Sequence, residues 1–268
     1  MNIKSSIKKY FMILTLGIKS SIYYPRRVLA QSFIQCFRIL LLATVYSFVY
    51  QNIKIETPIT VQMAVCSIAA YFCLLSIRFK NLFDAINDDI KLGNIEVMLN
   101  RPVNYLVYRI INQLGNDLFA FVVPVIFSFL LIPIIVGVPQ IQLNILYVLG
   151  IIAVSLLGLL VVALLYAVIG FTAFWIEDAR PVYWLVDKGV LLLGGSYLPI
   201  AFYPEWLKLF VYFTPFGSSM FVSHIFYPDF LEKLPMLLAS QIFWIIVLIW
   251  LNSMVFKKAK THLTINGG

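Results

Sequence analysis

Six long runs of apolar residues divide the chain. A helix needs about 20 mainly apolar residues to cross the hydrocarbon core of a bilayer. The runs predict transmembrane helices at Val28–Tyr50, Ile59–Ile77, Leu118–Val138, Ile145–Phe171, Val182–Leu198 and Leu237–Phe256. The pattern therefore predicts an all-α membrane protein with six transmembrane helices, organised as a single transmembrane domain over residues 1–268.

The first 27 residues follow a different pattern. Ile3, Ile7, Tyr10, Phe11, Leu14 and Ile18 fall on one helical face, whereas Lys4, Lys8 and Lys9 lie off it. A basic amphipathic helix of this kind lies in the membrane interface with its lysines at the headgroups. Residues 1–27 are therefore predicted to form an interfacial helix.

Composition and charge support the membrane assignment and orient the chain. Charged residues make up only 12% of the chain, about half of what soluble domains carry. With both termini cytoplasmic, most lysines and arginines lie inside, and only Lys54, Lys208 and Lys233 lie in outer loops. This topology explains the net charge of +8 better than nucleic-acid binding does.

A polar segment, residues 78–104, separates the second and third predicted spans on the cytoplasmic side. Residues 78–91 can form a helix with Phe79, Leu82, Phe83, Ile86 and Ile90 on one side and Asp84, Asn87, Asp88 and Lys91 on the other. Gly93 is expected to end this helix and Pro102 to begin the next. An acidic patch on the cytoplasmic side runs against the positive-inside trend, which favours a protein-docking surface over a simple interfacial elbow.

The 194–235 segment, between predicted spans five and six, is broken repeatedly. Gly194 and Gly195 open it, and Pro199, Pro204, Pro215 and Pro228 divide it. Its apolar-aromatic pieces, such as residues 206–213, are too short to span the membrane. They predict one or two short helices that lie on the outer face or insert halfway.

Two stretches carry a family resemblance. GNIEVMLNRPVNYLVYRI (residues 93–110) resembles the cytoplasmic segment of ABC-2 type transporter permeases, and LPIAFYPEWLKLFVYFTPF (residues 198–216) resembles their outer segment between spans five and six. The order of the two motifs, the interfacial helix and the six spans are also similar to that family.

The resemblance implies the membrane half of an ABC exporter in a bacterial plasma membrane, working as a homodimer or heterodimer of permease chains. ATP and Mg would bind a separate ATP-binding subunit, since the chain has no G-x-x-x-x-G-K-[ST] phosphate loop and no cofactor of its own is expected. The residues then expected to couple the chain to the ATPase are Asp84, Asn87, Asp88, Asp89, Lys91, Gly93, Glu96, Arg101, Pro102, Glu177, Asp178 and Arg180.

Charged and amide side chains inside the predicted spans suggest a translocation path. Gln31, Gln35 and Arg38 share one face of span one, and Asp187 and Lys188 lie in span five. A charge at mid-bilayer costs about 2.5–3.5 kcal/mol on insertion scales, so this face should meet a cavity or a subunit interface. A structural ion pair within one chain and contact with a hydrophobic or amphipathic substrate (a drug, peptide or lipid) both remain open.

Two other classes of protein share single features with this sequence. Gly194-Gly195-Ser196 faintly matches the nucleophile turn of an intramembrane serine protease, with His224 as a candidate base, but Tyr197 replaces the usual glycine. A channel or secondary transporter is the other alternative, although no internal repeat is visible.

Overall fold

The computed structural model describes residues 3–23, 25–52, 59–141, 144–176 and 178–263. Helices account for most of these residues, and no strand occurs among them. The helices are α1 (Ile3–Tyr23), α2 (Pro25–Asn52), α3 (Val61–Leu75), α4 (Phe79–Lys91), α5 (Asn94–Leu99), α6 (Tyr105–Val136), α7 (Ile145–Phe171), α8 (Arg180–Leu193), α9 (Glu205–Phe213), α10 (Pro215–Ser218) and α11 (Phe230–Leu263). The all-helical prediction is confirmed.

Within the described residues, five stretches are long and apolar enough to cross a membrane. They are Val28–Asn52, Val61–Lys91, Tyr105–Val136, Ile145–Phe174 and Phe230–Ala259. The second runs across α3 and α4, and its apolar part is α3, because the charged residues Lys80, Asp84, Asp88, Asp89 and Lys91 all belong to α4.

The fifth predicted span is shorter than the sequence pattern indicated. In its place α8 has 14 residues and is therefore about 21 Å long, less than the thickness of a hydrocarbon core. Pro181 lies in its first turn, and Gly194 ends it. Gly195 follows with φ 78°, a left-handed conformation that favours glycine. The apolar run to Leu198 is therefore only partly helical.

The third span begins earlier than predicted, and Pro102 does not start it. The Asn104 side chain caps α6 by accepting a hydrogen bond from the Val107 amide. Pro102 lies in the preceding bend. The first turns of α6 are polar, but Gln113 and Asp117 are buried with hydrogen-bond partners, so the helix extends through residues that the hydropathy pattern had left in a loop.

The amino-terminal helix packs tightly against α6. A Cβ at Gly115 would lie 2.6 Å from the Leu14 carbonyl oxygen, and one at Gly17 would lie 3.0 Å from Asn112. Ser21 donates a hydrogen bond to the Asn116 carbonyl group across the same contact. Small residues let helix backbones approach closely in membranes, so α1 is anchored to protein along this face, while Ile7 and Phe11 stay exposed.

The centre of the fold is the second half of α7. Residues 161–167 are buried all around the helix. The Gln241 amide of α11 donates to the carbonyl oxygens of Val154 and Ser218, each at 3.0 Å, and Asn252 donates to Leu164 at 3.0 Å. Buried amides of this kind hold helices together where apolar contact alone gives little preference over lipid.

The 194–235 segment contains several short helical pieces. They are α9, α10 and two 3-10 turns at Ile200–Phe202 and Phe221–His224. The His224 ring is buried with Nε2 3.2 Å from the Tyr212 hydroxyl, which in turn accepts from Lys233 at 3.2 Å. Burial, assisted by the charge of Lys233, lowers the pKa of His224 to about 3.

Candidate functional site

Helix α4 forms as the sequence predicts, but two of its polar residues face the protein interior. Phe79, Leu82, Phe83 and Ile86 are buried. Asn87 and Asp89 are also buried, which corrects the assignment of Asn87 to the outer face and of Asp89 to a docking surface. The apolar periodicity locates the buried side of the helix, but it does not show which acids have an internal partner.

The internal partner of Asp89 is Arg109 of α6. The Arg109 guanidinium donates to the Asp89 carboxylate, and the two side chains are only 13% and 8% exposed. The Tyr105 hydroxyl donates to the same carboxylate oxygen at 2.5 Å. Hydrogen bonds to an ionised group are stronger than neutral ones, so the carboxyl-terminal half of α4 is tied to the start of α6.

The other end of α4 is tied to α6 as well. The Arg78 amide, at the helix start, donates to the Asp117 carboxylate at 2.8 Å. The Gln113 side chain donates to the Arg78 carbonyl oxygen at 3.1 Å and to Asp117. A carboxylate at a helix amino terminus accepts hydrogen bonds from amides that have no partner within the helix, and its negative charge interacts favourably with the helix dipole. Helix α4 is thus attached to α6 at both ends.

Most residues from Asp88 to Asn104 form an exposed surface, although Asp89 and Ile95 are buried. Gly93 has φ 71° and ends α4, as predicted. Beyond it, the aliphatic side chains of Leu92 and Val97 are 72% and 63% exposed. The charged members of this surface are Asp88, Lys91, Glu96 and Arg101, and Asp84 is half-buried beside Lys80.

The second predicted cytoplasmic contact lies beside the first. Lys91 Nζ of α4 is 3.5 Å from Asp178 Oδ1, in the connection that leads to α8. The Arg180 amide donates to Asp178 at 3.1 Å, and this bond, with Lys91 nearby, lowers the pKa of Asp178. Arg180 is exposed. Glu177 lies outside the described residues.

A cavity of about 340 Å³ brings together all five residues predicted for the translocation path: Gln31, Gln35, Arg38, Asp187 and Lys188. Residues 74–80, which join α3 to α4, form part of its wall, as do side chains of α7 and α8. Arg38 and Lys188 are exposed although they line the cavity, so it opens at the surface of the single chain.

Asp187 is the most connected polar group in this cavity. Its Oδ1 accepts hydrogen bonds from the hydroxyls of Tyr166 and Tyr183, each at 3.0 Å, and its Oδ2 lies 3.3 Å from Lys188 Nζ. The carboxylate therefore has a cation and two donors from this chain, as a charge in a half-buried site requires.

Arg38 has a different environment. Its guanidinium carbon lies 5.9 Å from the centre of the Phe72 ring, a cation–π contact. Within the described part of the chain no carboxylate pairs with it. The alternative of an ion pair within one chain therefore applies to Asp187 and Lys188, and no such pair is seen for Arg38.

A short chain of contacts connects α4 to the cavity. The ring of Phe83 stacks on that of Tyr183 with 4.7 Å between centroids. Tyr183 then donates its hydroxyl to Asp187. Two side chains thus separate the helix at the 78–104 surface from a charged group of the cavity.

The protein-family comparison covers most of this architecture. The model of the family described as ABC-2 family transporter protein matches residues 60–267. The chain belongs to this family. It is a membrane permease of an ABC transporter, a class that works with an ABC ATPase partner. No curated protein matches the sequence.

The family match covers only some of the candidate site residues of this permease. It includes α3 to α11, and with them the 78–104 segment, Asp178, Asp187 and Lys188. It begins after α1 and α2, so Gln31, Gln35 and Arg38 lie outside it. Their place in the cavity is a structural finding on this chain alone.

Sequence reasoning missed several residues of these sites. Tyr166 and Tyr183 were not singled out, although the spacing of Tyr183 and Asp187, four residues apart on one helix, places them side by side. Phe83 was assigned to the apolar side of α4, but its contact with Tyr183 was not predicted. The anchors Asp117 and Gln113 were also missed. Their signal was present, because a carboxylate beside a long apolar run needs an internal partner.

The candidate protease residues have other partners in the permease. The Ser196 hydroxyl donates to the Leu191 carbonyl oxygen at 2.8 Å. His224 faces Tyr212. In the described residues no hydrogen bond joins Ser196 to His224, so the geometry gives no support to a nucleophile–base pair.

Proposed function

We propose that this permease forms the translocation path of an exporter as a dimer, and that a separate ATPase subunit drives it by docking on the 78–104 segment. The observation that carries the proposal is the attachment of α4 to α6 at both ends, through Asp117 at one and the Asp89–Arg109 pair at the other. A docked subunit that displaces α4 would displace α6 with it, because neither end of α4 can move alone without breaking buried polar contacts.

The exposed surface of the segment has the character of a docking site. Leu92 and Val97 are aliphatic side chains that project from a turn and a short helix, and Asp88, Glu96 and Arg101 surround them. Protein interfaces combine an apolar centre with a charged rim that sets orientation and association rate. Asp178 and Arg180 extend the same surface, since Lys91 at the end of α4 lies 3.5 Å from Asp178.

The open side of the cavity supports a dimer. Arg38 on α2 and Lys188 on α8 line the cavity and are exposed, so a second permease chain placed against these helices would close it. The wall is mainly apolar away from the charged groups, as in Ile34, Leu74 and Val162. A hydrophobic or amphipathic substrate, such as a drug, peptide or lipid, suits this lining better than a sugar or an ion.

The proposal is tested by purifying the tagged permease from its native membrane with and without a high-salt wash. Whether or not the ATP-binding subunit withstands the high-salt wash, this subunit should carry all ATP hydrolysis. The permease freed of the subunit should hydrolyse no ATP. An Asp88→Lys variant should retain less ATPase than Glu205→Lys, which reverses an exposed acid on α9. Hydrolysis by the isolated permease, or ATP-independent transport by it in liposomes, would overturn the proposal.

A further inference from the structure

The lining of the cavity is unbalanced in charge. Arg38, Arg78, Lys80 and Lys188 all contribute to it, whereas Asp187 is its one carboxylate among the described residues. A water-accessible cavity with low-dielectric walls concentrates the field of such an excess. The cavity is therefore electrostatically suited to an anion.

Arg38 is the cation of this lining for which no described carboxylate serves as partner. Asp187 is engaged by Lys188 and two tyrosines, and Lys80 pairs with Asp84 of α4 at 2.7 Å. Arg38 has only the face of Phe72. A guanidinium beside low-dielectric walls favours a nearby anion, and the described part of this chain provides no counter-ion for Arg38.

A second observation points to the same place. Gln35 lies one helical turn before Arg38, is buried and lines the cavity. Its amide oxygen has no hydrogen-bond partner within the described residues. Buried amide oxygens nearly always accept a hydrogen bond, so this one is available to a donor inside the cavity, such as a hydroxyl group carried by a polar head group.

We propose that the cavity binds an amphiphile with an anionic head group, a phosphate or carboxylate carried on an aliphatic chain, with Arg38 as its counter-ion. Leu74, Leu159, Val162 and Met220 line the apolar part beside the head group. The cavity of about 340 Å³ is at the small end of ligand sites, so it holds the head group and the start of the chain. The rest of the chain leaves between α2 and the lipid, where Ile34 and Phe37 are exposed.

This inference names the substrate class of the proposed translocation path and rests on that proposed function. A carboxylate from a second permease chain is the other source of negative charge for Arg38. The unpartnered amide of Gln35 and the empty volume beside it favour a ligand, because a lone side chain from a neighbouring subunit would satisfy the arginine without filling the apolar part.

The test uses the full chain in phosphatidylcholine nanodiscs with two photoactivatable probes that have identical diazirine acyl chains. One is lysophosphatidylglycerol, which is anionic, and the other is lysophosphatidylcholine, which is zwitterionic. Mass spectrometry measures the ratio of the two labels on peptides that line the cavity. The native chain should prefer the anionic probe about tenfold, the scale of one charge-assisted hydrogen bond.

Four matched conditions decide the outcome. Arg38→Gln should bring the ratio close to one, whereas Arg38→Lys and Arg101→Gln, which removes an exposed arginine outside the cavity, should keep it. Inorganic phosphate in excess should not displace the anionic probe. Should Arg38→Gln fail to fold, Lys188→Gln provides the same comparison with an expected fall in the ratio.

Three results would overturn the inference: equal labelling by both probes in the native chain, an unchanged ratio in Arg38→Gln, or displacement by phosphate alone. An Arg38→Gln chain that loses its dimer while the ratio stays high would assign the arginine to a subunit interface instead. The labelling needs no ATPase, so the two proposals can fail separately. If the anionic preference is found but purification from the native membrane yields no ATP-binding subunit, only the exporter proposal fails; ATPase-driven transport without the preference would sink only this one.

Discussion

The Arg109 guanidinium donates to the Asp89 carboxylate inside the protein, across the contact between α6 and α4. Asp89 is buried, the Arg109 side chain is only 13% exposed, and the Tyr105 hydroxyl donates a further hydrogen bond to the carboxylate. The pair explains why an acid sits on the otherwise apolar side of α4. The pair also attaches α4 to α6, so α4 packs as one unit with α6 and is not an independent surface helix.

Removing one partner of this pair should be strongly destabilising. Asp89→Asn leaves the arginine buried without its counter-ion, so we expect a loss of about 3–5 kcal/mol in unfolding free energy. The control is Asp84→Asn on the same helix, which breaks the Lys80–Asp84 pair (side chains 51% and 32% exposed) and should lose less than about 1 kcal/mol. Thermal unfolding of both purified variants gives the comparison, and equal loss in the two would contradict a buried lock.

Transmembrane topology is testable with single cysteines. Cysteines at Asn52, Gln140 and Glu205 should react with an impermeant thiol reagent from outside, and cysteines at Asn94 and Asp178 should be shielded in intact cells. The three native cysteines are buried and free, which keeps the background low. Labelling of the cysteine at position 205 shows whether the short α8 crosses the membrane. Shielding at Glu205 together with Asp178 would show that α8 does not cross and would leave five spans.

The stacked pair Phe83–Tyr183 should connect ATPase docking to the cavity. Phe83→Leu removes the stacking, and Tyr183→Phe removes the hydrogen bond to Asp187, so both should lower transport per ATP hydrolysed while leaving ATPase binding intact. Tyr166→Phe is the control, since it removes an equivalent bond to Asp187 from α7. Uncoupling by Tyr166→Phe alone, with the other two variants unaffected, would show that this contact chain is not used.

Acidification should destabilise the 194–235 segment through His224. The pKa of this buried ring is lowered to about 3, whereas an unfolded histidine titrates near 6.5. Between these values the unfolded state binds the extra proton, so stability is full above about pH 6.5 and falls as the pH drops, by about 2 kcal/mol at pH 5. The difference between the native chain and His224→Gln in thermal unfolding from pH 7 to pH 5 measures this term. Parallel pH profiles would mean that His224 is not held neutral.

The sequence predicted the helical class, the apolar face of α4 and the stop at Gly93, because each depends on local periodicity or on one residue's backbone preference. It also predicted a set of polar residues on α2 and α8 that the fold gathers into one cavity. Charges inside apolar runs are few, and each needs polar surroundings, so this clustering follows from physical chemistry.

What could not be predicted depends on contacts between distant residues. Asp88 and Asp89 are neighbours in sequence, yet one is exposed and the other pairs with Arg109 twenty residues away. Hydropathy placed the start of α6 at Leu118 because it counts Gln113 and Asp117 as polar, whereas in the fold both are satisfied by Arg78. The length of α8 was overestimated for the converse reason, since apolar character continues past the glycines that end the helix.

An ATPase that docks on the 78–104 surface should lie within reach of a photo-crosslinking amino acid placed at Val97. Val97 is exposed on α5, directly after Glu96 and about one helical turn after Gly93. Irradiation in native membranes should capture a protein with a G-x-x-x-x-G-K-[ST] loop. Adding the substitutions Asp84→Lys and Asp88→Lys should reduce the yield of this crosslink. The same probe at the exposed Trp206 of α9 should capture no such protein. Docking on the 78–104 surface would be contradicted by capture of the ATP-binding protein at Trp206. It would also be contradicted if no ATP-binding protein were captured at Val97 while ATP-driven transport continues.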